Sequence, residues 1–163
     1  TLSVTDDPLL RDPFRGMGPE VDFLPFADGR ALEAATFRSA AAVIVEPIQS
    51  MGGVRMADHA WYRRLIERAH AGGCLVIFDE IQTGLGRTGR WFFSGDEGIV
   101  PDLLTLAKGL GSGIPVAATA LRADLTASLK PHDLGSTFGG GPTAMAAVLA
   151  TLEVLDTEDC IAV

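Results

Sequence analysis

Three apolar runs end in side chains that can do chemistry. "AAVIVE" ends at Glu46, "CLVIFDE" at Asp79 and Glu80, and "DLLTLAK" at Lys108. A lysine amine in an apolar, glycine-flanked setting ("TLAKGLGSG") is pushed toward its neutral form by desolvation and becomes a nucleophile toward carbonyl carbon. Gly109, Gly111 and Gly113 leave room for a ligand to approach the backbone. A buried carboxylate is costly unless it meets a cation, and a protonated pyridine nitrogen is such a cation. An amine for an aldehyde and an acid for a ring nitrogen are the two groups that pyridoxal phosphate (PLP) requires. Each residue also has a plainer reading. A lysine taken at random is a solvated surface side chain, and an aspartate is commonly a cap or ion-pair partner. Residue type and spacing leave these readings open.

A second motif competes for the same stretch. Gly84-x-Gly86-x-x-Gly89 follows the acids. A dinucleotide fingerprint should come directly after a strand and open a helix, with an acid ending the next strand. Here "EIQT" intervenes, and "RWFFSGDEGIVPD" shows no helical period. Asp102 has about the right offset but begins the next strand, and the residue that ends that strand is Lys108. A phosphate-binding loop of the GxxxxGK type is excluded because Lys108 precedes its glycines.

The elements that must position these groups follow from periodicity. Val21–Phe26 reads as a short extended piece, and Asp28 as the cap of a helix over 29–37. "AAVIVEP" is a continuous apolar run, expected to be a buried strand. Asp58 caps a helix to about Ala71, in which Trp61, Leu65 and Ala69 recur every fourth residue and Arg63, Arg64, Glu67 and Arg68 take the wetter positions. Gly72-Gly73 stops it. "CLVIFD" and "DLLTLA" are further buried strands, and "PVAATALR" is a fourth. Pro142 sits at a first helical position, and "TAMAAVLATLEVL" is apolar on nearly all sides, which predicts a buried helix. Strand and helix in alternation predict an α/β fold, a mainly parallel sheet flanked by helices. Such sheets bind ligands beyond the carboxyl ends of their strands. Two neighbouring parallel strands would bring Asp79 and Lys108 to one edge.

Composition limits the alternatives. The 163 residues hold one domain's worth of chain, with a net charge of −8. That charge disfavours a nucleic-acid partner and an anionic lipid surface. No apolar run is long enough to span a membrane, and no signal peptide is visible. Cys74 and Cys160 have no metal-site or disulfide spacing, so no metal is expected and a reducing, cytoplasmic setting is the simple inference. His59 and His70 read as surface residues, and His132 as a loop residue.

Several long motifs in order carry a resemblance. "AAVIVEPIQ", "FDEIQTGLGRTGRWF", "PDLLTLAKGLGSGIP" and "GSTFGGGP" resemble the central signature of class III (fold type I) PLP-dependent aminotransferases, nearest the ornithine/acetylornithine branch. The resemblance implies a transaminase acting between an amino acid or ω-amine and a 2-oxo acid; an aminomutase on the same scaffold and a nucleotide-binding α/β module are the alternatives. It implies that Lys108 carries the cofactor as a Schiff base and shuttles the substrate proton, and that Asp79 keeps the pyridine nitrogen protonated. Glu80 and Gln82 are implied to lie among the cofactor-binding residues, Gln82 near the phenolic oxygen, although Glu80, like Arg87, also suits a structural role. Thr137 would hold the phosphate of a partner subunit's cofactor, which implies a homodimer, and Ser136 would face the substrate. Gly84, Gly86 and Gly89 would shape a loop. Where relatives often read "EPIQGEGG", with a second glutamate that gates a substrate-binding arginine, this chain reads "EPIQSMGGV". Met51 stands at that place, and a thioether cannot pair with an arginine. Leu134 precedes "GST" where relatives often show histidine, and Gly141 replaces the asparagine of the common "GGNP". Because family members are much longer, residues 1–163 would be part of the PLP-binding large domain, without the upstream phosphate loop and the downstream small domain, and inactive alone.

Overall fold

The computed structural model describes residues 2–95, 98–158 and 160–161. The chain divides into two compact units, Thr1–Ala35 and Thr36–Val163.

The first unit holds helices α1 (Pro8–Arg11) and α2 (Gly29–Ala34). Asp7 caps α1 by accepting the Leu9 N–H at 2.9 Å. Asp28 caps α2 through the N–H groups of Arg30 and Ala31, at 2.8 and 2.9 Å, the role expected of an aspartate at this position. The helix is shorter than the sequence suggests, because Ala35 takes an extended conformation. The Arg11 guanidinium lies 4.5 Å over the Phe23 ring. The extended piece expected around Val21–Phe26 forms no strand, since a lone extended segment has no ladder partner for its backbone groups.

The second unit is built on strands β1 (Ala42–Val45), β2 (Ile48–Gln49) and β3 (Arg55–Met56), helix α3 (His59–Ala71), strands β4 (Leu75–Asp79), β5 (Leu103–Leu106) and β6 (Ala118–Leu121), and helices α4 (Ala123–Thr126) and α5 (Pro142–Thr157). The main sheet has the order β1-β4-β5-β6, and β2-β3 is a separate hairpin. β4 runs parallel to both neighbours, with Val45 opposite Phe78 and Asp79 opposite Thr105. β6 closes the sheet antiparallel to β5. The α/β reading with a mainly parallel sheet therefore holds.

One face of the sheet carries the core. Val45, Val76, Phe78 and Leu106 are buried, as are Trp61, Tyr62, Leu65 and Ala69 of α3. The Asp58 carboxylate starts α3 by accepting the Trp61 N–H at 2.7 Å. The Tyr62 ring meets Phe78 and Phe93 edge-on at 5.9 and 5.3 Å, an arrangement that suits aromatic quadrupoles. The opposite face is open. Ile44 is 39% exposed and Val45 is the one buried residue of β1, whereas its continuous apolar run suggests two-sided cover. Helix α5 departs in the same way. It was expected to be buried, yet none of its residues is buried and Leu149 is 68% exposed. It packs against the short 3-10 turn Lys108–Gly111, which is too small to cover a helix that is apolar all round.

The Tyr62 hydroxyl holds α3 to the segment around the hairpin. It donates to the Pro47 carbonyl and accepts the Ala57 N–H at 3.0 Å, with the tyrosine fully buried. Tyr62→Phe keeps the ring and orphans two backbone groups. Unmet buried groups cost about 1–3 kcal/mol, so urea or thermal melts should show a loss of that size; a variant as stable as the parent would refute this role for the hydroxyl.

Candidate active site

Parallel pairing sets the site. Asp79 closes β4 and Glu46 follows β1 directly, one step beyond the Val45–Phe78 pair, so the two carboxyls stand side by side on adjacent strand ends. β5 ends at Leu106, and Lys108 follows it with φ +45°, in the left-handed region. The structure thus brings Glu46, Asp79 and Lys108 to one sheet edge.

The two adjacent acids face different surroundings. Asp79 is half-buried, and its Oδ1 accepts the Ile81 N–H at 3.1 Å. Glu80 is 1% exposed. Its carboxylate accepts the N–H groups of Phe93 and Ser94 at 2.7 and 2.9 Å and the hydroxyls of Ser94 and Thr83 at 2.6 and 3.2 Å. Four donors occupy it, and they make Glu80 the anchor of the loop that returns from β4. Within that loop Gly86 and Gly89 adopt φ +83° and +81°, which side chains disfavour, and among the described residues up to β5 no helix opens after them. The glycines shape a turn.

Loop anchoring puts Gln82 beside the lysine. Lys108 Nζ donates to Gln82 Oε1 at 2.7 Å, and the Ser50 hydroxyl donates to the same oxygen at 3.2 Å. Lys108 is exposed. The Glu46 carboxyl is pushed above the usual range, first by partial burial, then by the charge of Asp79, with Lys108 opposing. Two like charges at neighbouring positions produce such an effect.

Ser136 and Thr137 lie apart, on the exposed loop before α5, where the Ser136 hydroxyl accepts the Gly139 N–H at 2.9 Å. Neither is hydrogen-bonded to the Lys108 group. Asp102 is buried and bonded to the Val76 N–H at 2.7 Å, to His70 at 2.8 Å and to Arg122, so no carboxylate is left there for a ribose. His70, expected to be a plain surface residue, is exposed but held by Asp102. Among the described residues no cluster could hold a metal ion, and no helix is long and apolar enough to cross a membrane. Both cysteines are free thiols.

The donor set suits a pyridine aldehyde. Lys108 offers an accessible amine, and Asp79 has a second carboxylate oxygen for a ring nitrogen. Beside Asp79 in the ladder, the Thr105 hydroxyl is buried without a hydrogen-bond partner. Sequence reasoning assigned no role to Glu46, although its place at a strand end was visible, and missed Ser50, whose only signal was a hydroxyl in the turn after that strand.

A family model for class-III aminotransferases matches residues 1–162. The chain belongs to the class-III aminotransferases. An acetylornithine aminotransferase of Methanopyrus kandleri is 44% identical over 158 residues, covering 97% of this chain and 41% of that protein. An ornithine aminotransferase from Toxoplasma gondii ME49 superposes with a TM-score of 0.88 at 36% identity, over 99% of this chain and 39% of the other. A second Toxoplasma gondii ornithine aminotransferase structure, crystallised with oxidised glutathione, has a TM-score of 0.84 at 36% identity, covers 99% of this chain and 38% of the other, and shows partial occupancy of PLP at its active site. This class-III chain thus spans about two-fifths of the length of the relatives it matches.

Two outcomes test the electrostatics of this class-III edge. Glu80→Ala leaves the N–H groups of Phe93 and Ser94 unpaired, and should cost roughly 3 kcal/mol or more in urea unfolding; a smaller loss than that of an exposed glutamate would contradict the anchor. For Glu46, a carboxyl with a raised folded-state pKa holds its proton more tightly when folded. Its contribution is present below the ordinary carboxylate range and is lost as pH rises through the folded value. Glu46→Gln removes this loss, so the urea midpoint of the variant relative to the parent should climb as pH rises from about 4 to 7. A difference flat in pH would contradict it.

Proposed function

We propose that this chain supplies the lysine-bearing part of the large domain of a PLP-dependent aminotransferase. The enzyme moves an amino group between an amino acid or ω-amine, of ornithine or acetylornithine type, and a 2-oxo acid. The observation that carries this reading is the placement of Lys108 and Asp79 at one edge of a mainly parallel sheet, within a class-III chain.

Lys108 Nζ would bond the aldehyde carbon of the cofactor, and the Asp79 carboxylate would pair with the protonated ring nitrogen. When bound, the pyridinium ring supplies an electron sink for the carbanion formed at the substrate carbon. Asp79 keeps that capacity by stabilising the positive ring nitrogen. Lys108 Nζ would take up and return the substrate proton, and an amine on a short turn at the sheet edge has the reach for both. Gln82, whose oxygen already faces Lys108, would present its NH2 to the phenolic oxygen. Thr137 would bind the phosphate of the partner subunit's cofactor in a homodimer, and Ser136 would face the substrate; their exposed loop is free for such contacts. Met51 is 98% exposed on the hairpin turn and offers no carboxylate to gate an arginine. Two free cysteines suit a cytoplasmic setting.

The sequence holds two lysines, Lys108 and Lys130, which makes a direct test simple. The protein is incubated with PLP, reduced with borohydride, and its peptides are mapped. The pyridoxyl group should sit on Lys108, and Asp79→Asn should lower its yield. Label confined to Lys130, or shared equally between the two, would end this reading.

A further inference from the structure

Ser50 heads the tight turn between β2 and β3. The N–H groups of Gly53 and Val54 both donate to its carbonyl, at 3.3 and 3.2 Å, so its backbone is fixed by the turn. Its half-buried hydroxyl reaches Gln82 Oε1 at 3.2 Å, the oxygen that accepts Lys108 Nζ at 2.7 Å. A side-chain amide has two unlike ends, an acceptor oxygen and a donor NH2. With its NH2 toward Lys108, Gln82 would repel the ammonium. Two donors from separate elements converge on the oxygen and fix which end meets the amine.

We propose that Ser50 is a positioning residue for Lys108, acting through the Gln82 amide, which it locks with the oxygen toward the amine and the NH2 toward the ligand side. The lock restrains a flexible lysine on an exposed turn by keeping its amine in a hydrogen bond. Glu46, just after β1 and beside Asp79, acts on the same amine, and both acids stay in place when Ser50 is changed. The purpose of the lock rests on the aminotransferase reading; the contact does not, and its test needs no cofactor.

The test is competitive acetylation with acetic anhydride across a pH series. Lys108 labelling is read against Lys130 in the same chain by peptide mass spectrometry, because only the neutral amine reacts. One hydrogen bond changes such a ratio by roughly twofold to tenfold. Ser50→Ala should raise the Lys108 to Lys130 ratio by that factor, and Ser50→Thr, which keeps the hydroxyl, should stay near the parent. Gln82→Leu should raise the ratio at least as much, and adding Ser50→Ala to it should change nothing further. If Ser50→Ala is poorly folded by circular dichroism, Ser50→Val is compared with Ser50→Thr instead, since the two match in shape and differ in the hydroxyl. A parental ratio in the hydroxyl-free variant, or the same rise in the Gln82→Leu background, overturns the proposal. Should PLP trapping fall on Lys130 while these ratios shift as stated, the aminotransferase reading fails and the Ser50 lock stands.

Discussion

Neighbouring residues of an extended strand project to opposite faces, and the proposed site rests on that alternation at the step from Asp79 to Glu80. Asp79 emerges at the open edge beside Glu46, while Glu80 turns inward and vanishes from solvent. A buried carboxylate survives only when donors replace its lost water. Four donors do so here, all drawn from the returning loop. Folding the loop and satisfying the charge are one event, and Gln82 reaches Lys108 as a consequence. A slip of one residue would exchange the two acids, leaving the loop without an anchor and the edge without its half-buried carboxylate.

The far end of the sheet is built for cohesion. Asp102 precedes β5 and gathers groups from three places in the fold: the Val76 N–H of β4, His70 near the end of α3, and Arg122 just after β6. Arg122 also holds the Asp124 carboxyl below the ordinary range, although an exposed pair of this kind adds little stability. Polar side chains at the two ends of the sheet thus serve different ends. Around Asp102 every contact points inward and binds elements together. Around Lys108 an accessible amine and a half-buried carboxylate remain turned outward, which is what ligand chemistry requires.

Local signals in the sequence were legible where the responsible physics is local. Asp28 and Asp58 cap helices because a short carboxylate reaches the next N–H groups whatever the rest of the chain does, and Pro142 begins α5 for a similar reason. Tertiary cover was not legible. The apolar runs of β1 and α5 show that these elements can be buried, but an apolar side chain does not say what lies over it, and here Ile44 and Leu149 are exposed. The candidate site residues divide along the same line. Asp79 and Lys108 follow from strand ends and parallel pairing. The inward turn of Glu80 depends on how the following loop folds back, and the contact of Ser50 with Gln82 on a hairpin distant in sequence, so no period or motif announces them.

Backbone strain at the lysine fits this division. Left-handed backbone costs a non-glycine residue about 1–2 kcal/mol, and Gly109, the next residue, would adopt it freely. Lys108 nonetheless takes φ +45°, and Ser112 at the other end of the same turn takes φ +44°. Such strain persists only where surroundings over-determine the conformation. Two supports are present: the Gln82 oxygen holds the lysine amine, and α5 braces the turn through Thr151, whose hydroxyl lies 2.9 Å from Ser112 Oγ. A helix with no buried residue of its own therefore still bears on the proposed site, because it braces the turn that carries Lys108.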